Sequence, residues 1–361
     1  MGILVVSCEP EEPGAEAPVV DDALLAVPYA PQAYDFQLPD HFPDMPQPPD
    51  NPATEQGVAL GQALFFDPIF SRDSTIACAT CHRPELAFTD GRALPVGIDG
   101  RIGRRSSMSL VNVGLQSSFF WDGRSGSLEE QGLHPIEDPL EMDSDWAEVE
   151  ARLRRHAQYP RMFRKAFGIA SPDEIDRTLV TRAVAQFERS IVSADSPFDR
   201  VVYGLDGFLT ELEEEGRVLF FTEPSTEHPG CAHCHNAPAF ADIDITGGFR
   251  NNGLDSAETT ADFRDLGRGE VTGNPYDNGK FRAPTLRNIA LTAPYMHDGR
   301  FETLDEVLEH YASGGHYSPT LDPQILAFEL DDHRRAALKA FLGTLTDTAS
   351  LAREGVTDPH R

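Results

Sequence analysis

The chain has no long apolar run, few basic residues, five cysteines and two tryptophans, and each scarcity narrows what it can be. No stretch approaches the ~18 consecutive apolar residues of a membrane-crossing helix, which points to a soluble or tethered protein and not an integral one. Lysine and arginine number 30 against 59 aspartate and glutamate, a net charge of −29 over 361 residues. Such a surface repels a polyanion, so nucleic acid is not an expected partner. Hydrophobic residues make up 40%, enough for a core, which rules out wholesale disorder, and the length suggests two domains.

The few cysteines carry the most information. Cys8 stands alone, whereas Cys78, Cys81, Cys231 and Cys234 form two Cys-x-x-Cys pairs, each followed by histidine, as CATCH at 78–82 and CAHCH at 231–235. This is not the pattern of a disulfide scaffold. Zinc ribbons place two such pairs roughly 15–20 residues apart, but here the first cysteines are 153 apart. Covalent haem c needs two thiols about one helical turn apart, to add to the porphyrin vinyl groups, and an adjacent imidazole for the iron; CxxCH meets that need. The reading is two haem c groups with His82 and His235 as iron ligands, attached outside the bacterial cytoplasm, hence a periplasmic protein.

Organisation follows from punctuation and repetition. Residues 1–50 comprise a short apolar start and a Pro- and acid-rich stretch read as a linker. Val5-Val6-Ser7-Cys8 resembles a lipoprotein lipobox without the basic residues that precede one. Two readings stand, a lipid anchor at Cys8 or an ordinary N-terminal thiol. From Asn51 on, the pattern is mainly α with long loops. Helices are expected from Ser144 to Gln158, from Pro172 to Ser190 and from Asp331 onward, with capping boxes at Thr210-x-x-Glu213 and Thr303-x-x-Glu306. Gly61-x-x-Leu64-Phe65-Phe66 precedes the first CxxCH and Gly216-x-x-Leu219-Phe220-Phe221 the second, a divergent internal repeat. Two haem-carrying domains are expected at 51–205 and 206–350, followed by a tail at 351–361.

The sixth iron position separates an electron carrier from a site that takes peroxide. No histidine lies between His82 and His134, so the distal face of the first haem has none nearby. Met108 is the one other local candidate, against a plain core or loop role.

SLVNVGLQSSFFWDGR at 109–124, QGLHPIEDPLEM at 131–142 and FRAPTLRNIALTAPYMHDGRF at 281–301, together with the CxxCH pairs, resemble the bacterial dihaem cytochrome c peroxidase and MauG family over residues 51–346. The resemblance implies two cytochrome c-like domains, a peroxidatic haem in the first and an electron-transfer haem in the second. It places Trp121 between the haems, where a plain core aromatic is the alternative. It also places Gln131 and Glu141 in the loop over the first haem, where a solvated acidic loop is the alternative. A carboxylate there can take and return a proton during peroxide cleavage; Gln131 can hold peroxide without charge, and Pro135 narrows the pocket. Fourteen residues after His297, where the peroxidase branch has a methionine ligand for the second haem, stands Tyr311, as in the MauG-like branch; Met296 and His310 compete with it. The family's calcium site implies carbonyl donors at Thr292 and Pro294 for a possible calcium ion, but Ser106 occupies its asparagine position, and a hydroxyl is a weaker ligand for a hard cation.

Three functions compete. The first is reduction of hydrogen peroxide with electrons from a small redox protein, a cytochrome c or cupredoxin. The second is MauG-like oxidation of tryptophan in a partner protein through a doubly oxidised dihaem state, and the third non-catalytic electron carriage. The acidic surface suits solubility and would also steer a basic redox partner. The sequence leaves the oligomeric state open.

Overall fold

The computed structural model describes residues 21–242 and 248–360; Cys8 lies outside them. Apart from an antiparallel pairing of Phe249–Arg250 with Phe281–Arg282 and isolated bridges, the described residues form helices, 3-10 turns and long loops. None of the described helices is long and apolar enough to cross a membrane.

Two similar units carry the fold. In the first, helix Glu55–Phe66 packs along helix Arg177–Arg189; in the second, helix Glu211–Phe221 packs along helix Asp332–Gly343. The repeated glycine sets the closeness of both pairs. A Cβ on Gly61 would lie 1.9 Å from the Ala183 carbonyl oxygen, and one on Gly216 1.9 Å from that of Ala337. Phe65 then packs on Phe88 and Phe187, and Phe220 on Phe240 and Phe341. Thr210 and Thr303 cap their helices by accepting from the Glu213 and Glu306 amides.

A second repetition emerges downstream at a constant spacing of 176 residues. Asn112 and Asn288 are both left-handed and open the 3-10 turns Val113–Leu115 and Ile289–Leu291. Asp122-Gly123-Arg124 and Asp298-Gly299-Arg300 follow, with glycine φ of 67° and 65°. Ser127 and Thr303 then cap the next helices.

Several expected elements differ. The 144–158 helix is shorter, Trp146–Arg155. A further helix, Tyr159–Phe167, begins at once with Pro160 in its first turn, where the missing N–H has no intrahelical partner to lose. Pro172–Glu174 is a separate 3-10 turn, and the α-helix starts at Arg177 behind the Asp176 cap.

Neither terminal segment behaves as linker or tail where it is described. Phe36, Phe42 and Met45 are buried with Leu115 and Val192 of the first unit and Ala239 and Ala241 of the second. Their proline-rich surroundings masked a face that straps the units together. Leu351 and Val356 join the first unit's core, and Gln62 Nε2 donates to the carbonyls of Glu354 and Thr357 at 2.9 and 2.8 Å. The seam also holds a fully buried ion pair. Arg287 reaches both Asp199 carboxylate oxygens at 2.7 Å, with the Phe42 ring 5.0 Å from its guanidinium carbon.

Candidate active site

Each unit encloses a cavity, about 360 Å³ in the first and 200 Å³ in the second. Cys78–Cys81 forms one helical turn on the wall of the larger, and the 3-10 turn Cys231–His233 presents the second pair to the smaller. His82 Nδ1 lies 2.9 Å from the Phe88 carbonyl and His235 Nδ1 3.0 Å from that of Pro284. Tying Nδ1 to a carbonyl fixes it as the donor and reserves Nε2 for a metal. Burial lowers both imidazole pKa values, which keeps them neutral as ligation requires.

Burial pushes the four thiols up, those of Cys81 and Cys231 to about 12. Burial therefore holds them as neutral thiols. Among the described residues no three His, Cys, Asp or Glu converge on a metal position, so the pairs are not halves of one zinc centre. Paired sulfurs a turn apart, an oriented neutral imidazole and a largely apolar cavity fit a covalently held haem in each unit.

Over the first cavity the loop residues come together. Gln131, Pro135 and Glu141 all line it, with His82, Met108 and Trp121. The loop is pinned by the Ile98 amide, which donates to the Glu141 carbonyl at 2.8 Å. Gly97 makes this fit possible, since a Cβ there would come within 2.1 Å of the Leu140 carbonyl oxygen. Burial pushes the Glu141 carboxyl up to about 7, the Asp138 charge adds to the rise, and Arg124 opposes it. Met108 places its backbone against the His82 imidazole as a hydrogen-bond partner.

In the second cavity Tyr311 and Met296 both line the wall, whereas His310 does not. His310 Nε2 instead lies 2.9 Å from the Asn252 carbonyl. The Tyr311 phenol is pushed up to about 12 by burial, against the pull of the Asn252 amide.

Trp121 and Arg282 line both cavities. The indole Nε1 donates to the Ser106 carbonyl at 2.8 Å, and the Arg282 amide donates to the Trp121 carbonyl at 2.9 Å. Ser106 in turn donates its amide to the His297 carbonyl at 2.8 Å. Ser106 therefore sits between Trp121 and the loop that bears Thr292 and Pro294; Thr292 closes the Ile289–Leu291 turn, and Pro294 follows a cis peptide.

Sequence reasoning missed Glu188, Asn252 and Arg282. Glu188 lines the first cavity, is buried, and has one carboxylate oxygen without a partner; burial pushes it up to about 8. Its signal was legible, because a glutamate with Val184, Phe187 and Ile191 lies on an apolar helical stripe. No comparable pattern marks Asn252 or Arg282, which sit in loops or two-residue strands.

Residues 55–206 match the family model described as di-haem cytochrome c peroxidase. The methylamine utilization protein MauG of Methylorubrum extorquens is 39% identical over 306 residues, covering 83% of this chain and 81% of that protein. The cytochrome c551 peroxidase of Nitrosomonas europaea is 34% identical over 295 residues, covering 82% and 81%. Among solved structures, a MauG-like protein associated with microbial copper homeostasis superposes with a TM-score of 0.85 at 36% identity, over 91% of this chain and 100% of the other.

Proposed function

We propose a working site for a chain that belongs to the di-haem cytochrome c peroxidase and MauG family and is accordingly a peroxide-using oxidoreductase. Each unit is read as a cytochrome c-like domain holding one haem c, through Cys78, Cys81 and His82 in the first and Cys231, Cys234 and His235 in the second. A haem bound in the first cavity would supply an iron that accepts peroxide and passes on electrons. The remaining work belongs to the chain. Gln131 orients hydrogen peroxide by amide hydrogen bonds, and Pro135 limits the space beside it. Glu141 takes the proton from one peroxide oxygen and returns it to the other. Two electrons and two protons convert the peroxide to two waters.

The observation that carries this reading is the meeting of Gln131, Pro135 and Glu141 on the cavity of His82, with no second histidine in residues 83–133. Electron paramagnetic resonance of the oxidised holoprotein should show one high-spin and one low-spin iron without prior reduction. A purely low-spin spectrum would overturn the open site and favour an electron carrier.

Tyr311 on the second cavity favours a second reading, in which the oxidised substrate is a tryptophan of a partner protein. A phenolate ligand donates charge and favours oxidised iron, which makes the second haem a poor electron acceptor and a good store of oxidising power. Peroxide added to the resting oxidised protein without donor, followed by reductive titration, separates the two. Retained oxidising equivalents support the protein-substrate reading. Inertness until half-reduction by a small cytochrome or cupredoxin supports peroxide detoxification.

A calcium ion between the haems would draw on the Thr292 and Pro294 carbonyls and the Ser106 hydroxyl, none of them charged, so it should exchange readily into excess chelator. Haem attachment of the CxxCH type takes place outside the cytoplasm, which supports a periplasmic location, and Cys8 would anchor the protein there if acylated.

A further inference from the structure

Asn252 occupies an unusual position in the second cavity. Its side-chain Nδ2 lies 3.1 Å from the Tyr311 hydroxyl and 3.5 Å from the Met296 sulfur. Both side chains line the cavity of His235, and they are the two rival ligands that the sequence places on that wall. A thioether sulfur only accepts hydrogen bonds, so the amide must turn its NH₂ group toward the pair. Its two hydrogens serve both acceptors at once. The backbone of Asn252 is anchored separately, because its carbonyl lies 2.9 Å from His310 Nε2, on the residue preceding Tyr311. The neighbouring Asn251 is buried and bonded to Ser318 and Thr320 through Nδ2 at 2.9 Å each. The amide is thus held on a rigid loop, with its polar end aimed at the two rival ligands.

We infer that Asn252 is a positioning residue that selects the axial ligand of the second haem, engaging the Met296 sulfur and hydrogen-bonding the Tyr311 oxygen that ligates. The inference rests on Tyr311 ligation and deepens it. A sulfur that accepts an N–H has its lone pair engaged and a fixed rotamer, so Met296 is held off the iron. An N–H donated to a phenolate oxygen withdraws part of the charge that oxygen would give the iron, raising the potential of the second haem above that of an unassisted phenolate.

The test uses holoprotein and reads spectra and potentials. Asn252→Leu removes the donor at similar volume. It should make the second haem heterogeneous, with a thioether-to-iron charge-transfer band appearing beside the phenolate signature. Asn252→Leu combined with Met296→Leu should restore a single tyrosinate species. Relative to Met296→Leu alone, its one-electron potential should be lower by about 59 mV for a tenfold change in the oxidised-to-reduced ratio. Asn252→Gln, which keeps an N–H donor, should recover part of both effects. Should Asn252→Leu fail to retain haem, Asn252→Asp preserves the shape and replaces the donor by acceptors, and the same two changes are expected. An unaltered low-spin spectrum and potential in these variants would overturn the inference. Tyr311→Phe keeps the outcomes apart: if it too leaves the spectrum untouched, the tyrosine ligation has failed; if it alters the spectrum while Asn252 variants do not, only the role of Asn252 has failed.

Discussion

Glu141 and Glu188 show how burial divides two carboxyls of one cavity into different tasks. Both are pushed up chiefly by desolvation, to about 7 and about 8, but Glu141 stands in the loop with Gln131 and Pro135 while Glu188 faces the cavity from the helix that carries the core. A general base must be ionised to accept a proton, so the peroxide step should speed up as pH rises through about 7. Stability runs the other way. A carboxyl whose folded pKa lies above the unfolded value of 4.5 contributes fully below pH 4.5 and loses that contribution as pH rises through the folded value. Glu141→Gln should keep both haems and lower the peroxide rate by ~10²–10⁴-fold, with the pH dependence near 7 abolished. Stopped-flow rates measured from pH 5 to pH 9, roughly the range over which such a group titrates, would leave Glu141 without a part in the peroxide step if wild type and variant coincided.

At the scale of elements, the repeated glycines and capping boxes were legible because their causes are local. GxxLFF places a glycine where two helices touch, and T-x-x-E writes a cap into four residues. What the sequence concealed was the second repetition, in which the 176-residue spacing aligns Trp121 with His297, Phe120 with Met296 and Pro135 with Tyr311. The motifs WDGR and HDGR were visible, but the alignment depends on backbone conformation: Phe120 and Met296 are both left-handed, at φ 65° and 77°. The residue over the first cavity and the proposed ligand of the second are thus counterparts. Pro135 stands in the first turn of the short helix His134–Glu137 and has no ligating atom, whereas helix Leu304–Ala312 runs through Tyr311. Under the proposed ligation, that contrast would leave one iron open and close the other in a duplicated chain. The glycine contacts themselves are testable. Gly61→Ala and Gly216→Ala each force a methyl group into a backbone carbonyl, and overpacking of this kind costs about 1–3 kcal/mol. Denaturant melts followed by the haem absorbance should show both losses; a neutral result at either site would mean that its helix pair yields without strain.

At the scale of the molecule, the two units are joined by more than the segment between them. The 36–45 strap, the packed residues beyond 350 and the Arg287–Asp199 pair all span the seam; proline and aspartate around Phe36, Phe42 and Met45 hid the first, and the shortness of the last stretch hid the second. A buried pair is weak evidence of net stabilisation, but removing one member leaves a charge without a partner. Arg287→Met should therefore destabilise the protein by about 3–5 kcal/mol, whereas Arg287→Met combined with Asp199→Leu should recover much of that loss. Equilibrium unfolding of the single and double variants measures both; equal destabilisation in the two would place the energy in packing against Phe42 and not in the charge.

The same seam holds Trp121, and its task can be separated from its bulk. Its ring borders both cavities, and its indole nitrogen is fixed to the Ser106 carbonyl. Its centroid lies 6.4 Å from that of His297, which stacks on Phe281 at 3.7 Å. A core aromatic contributes through its area alone, so Trp121→Phe would then cost stability and leave turnover intact. A coupler contributes through its position between two redox centres, so the substitution would leave both resting spectra intact and slow the passage of electrons from the second haem to the first. Two measurements on one variant decide. Donor-supported peroxide turnover should fall, while the reaction of peroxide with the first haem, followed alone in a single mixing experiment, should keep its wild-type rate because Gln131 and Glu141 are untouched. A variant that melts lower yet turns over at the wild-type rate would assign Trp121 to the core and require another route between the cavities, for which Arg282, the other residue on both walls, offers no aromatic ring.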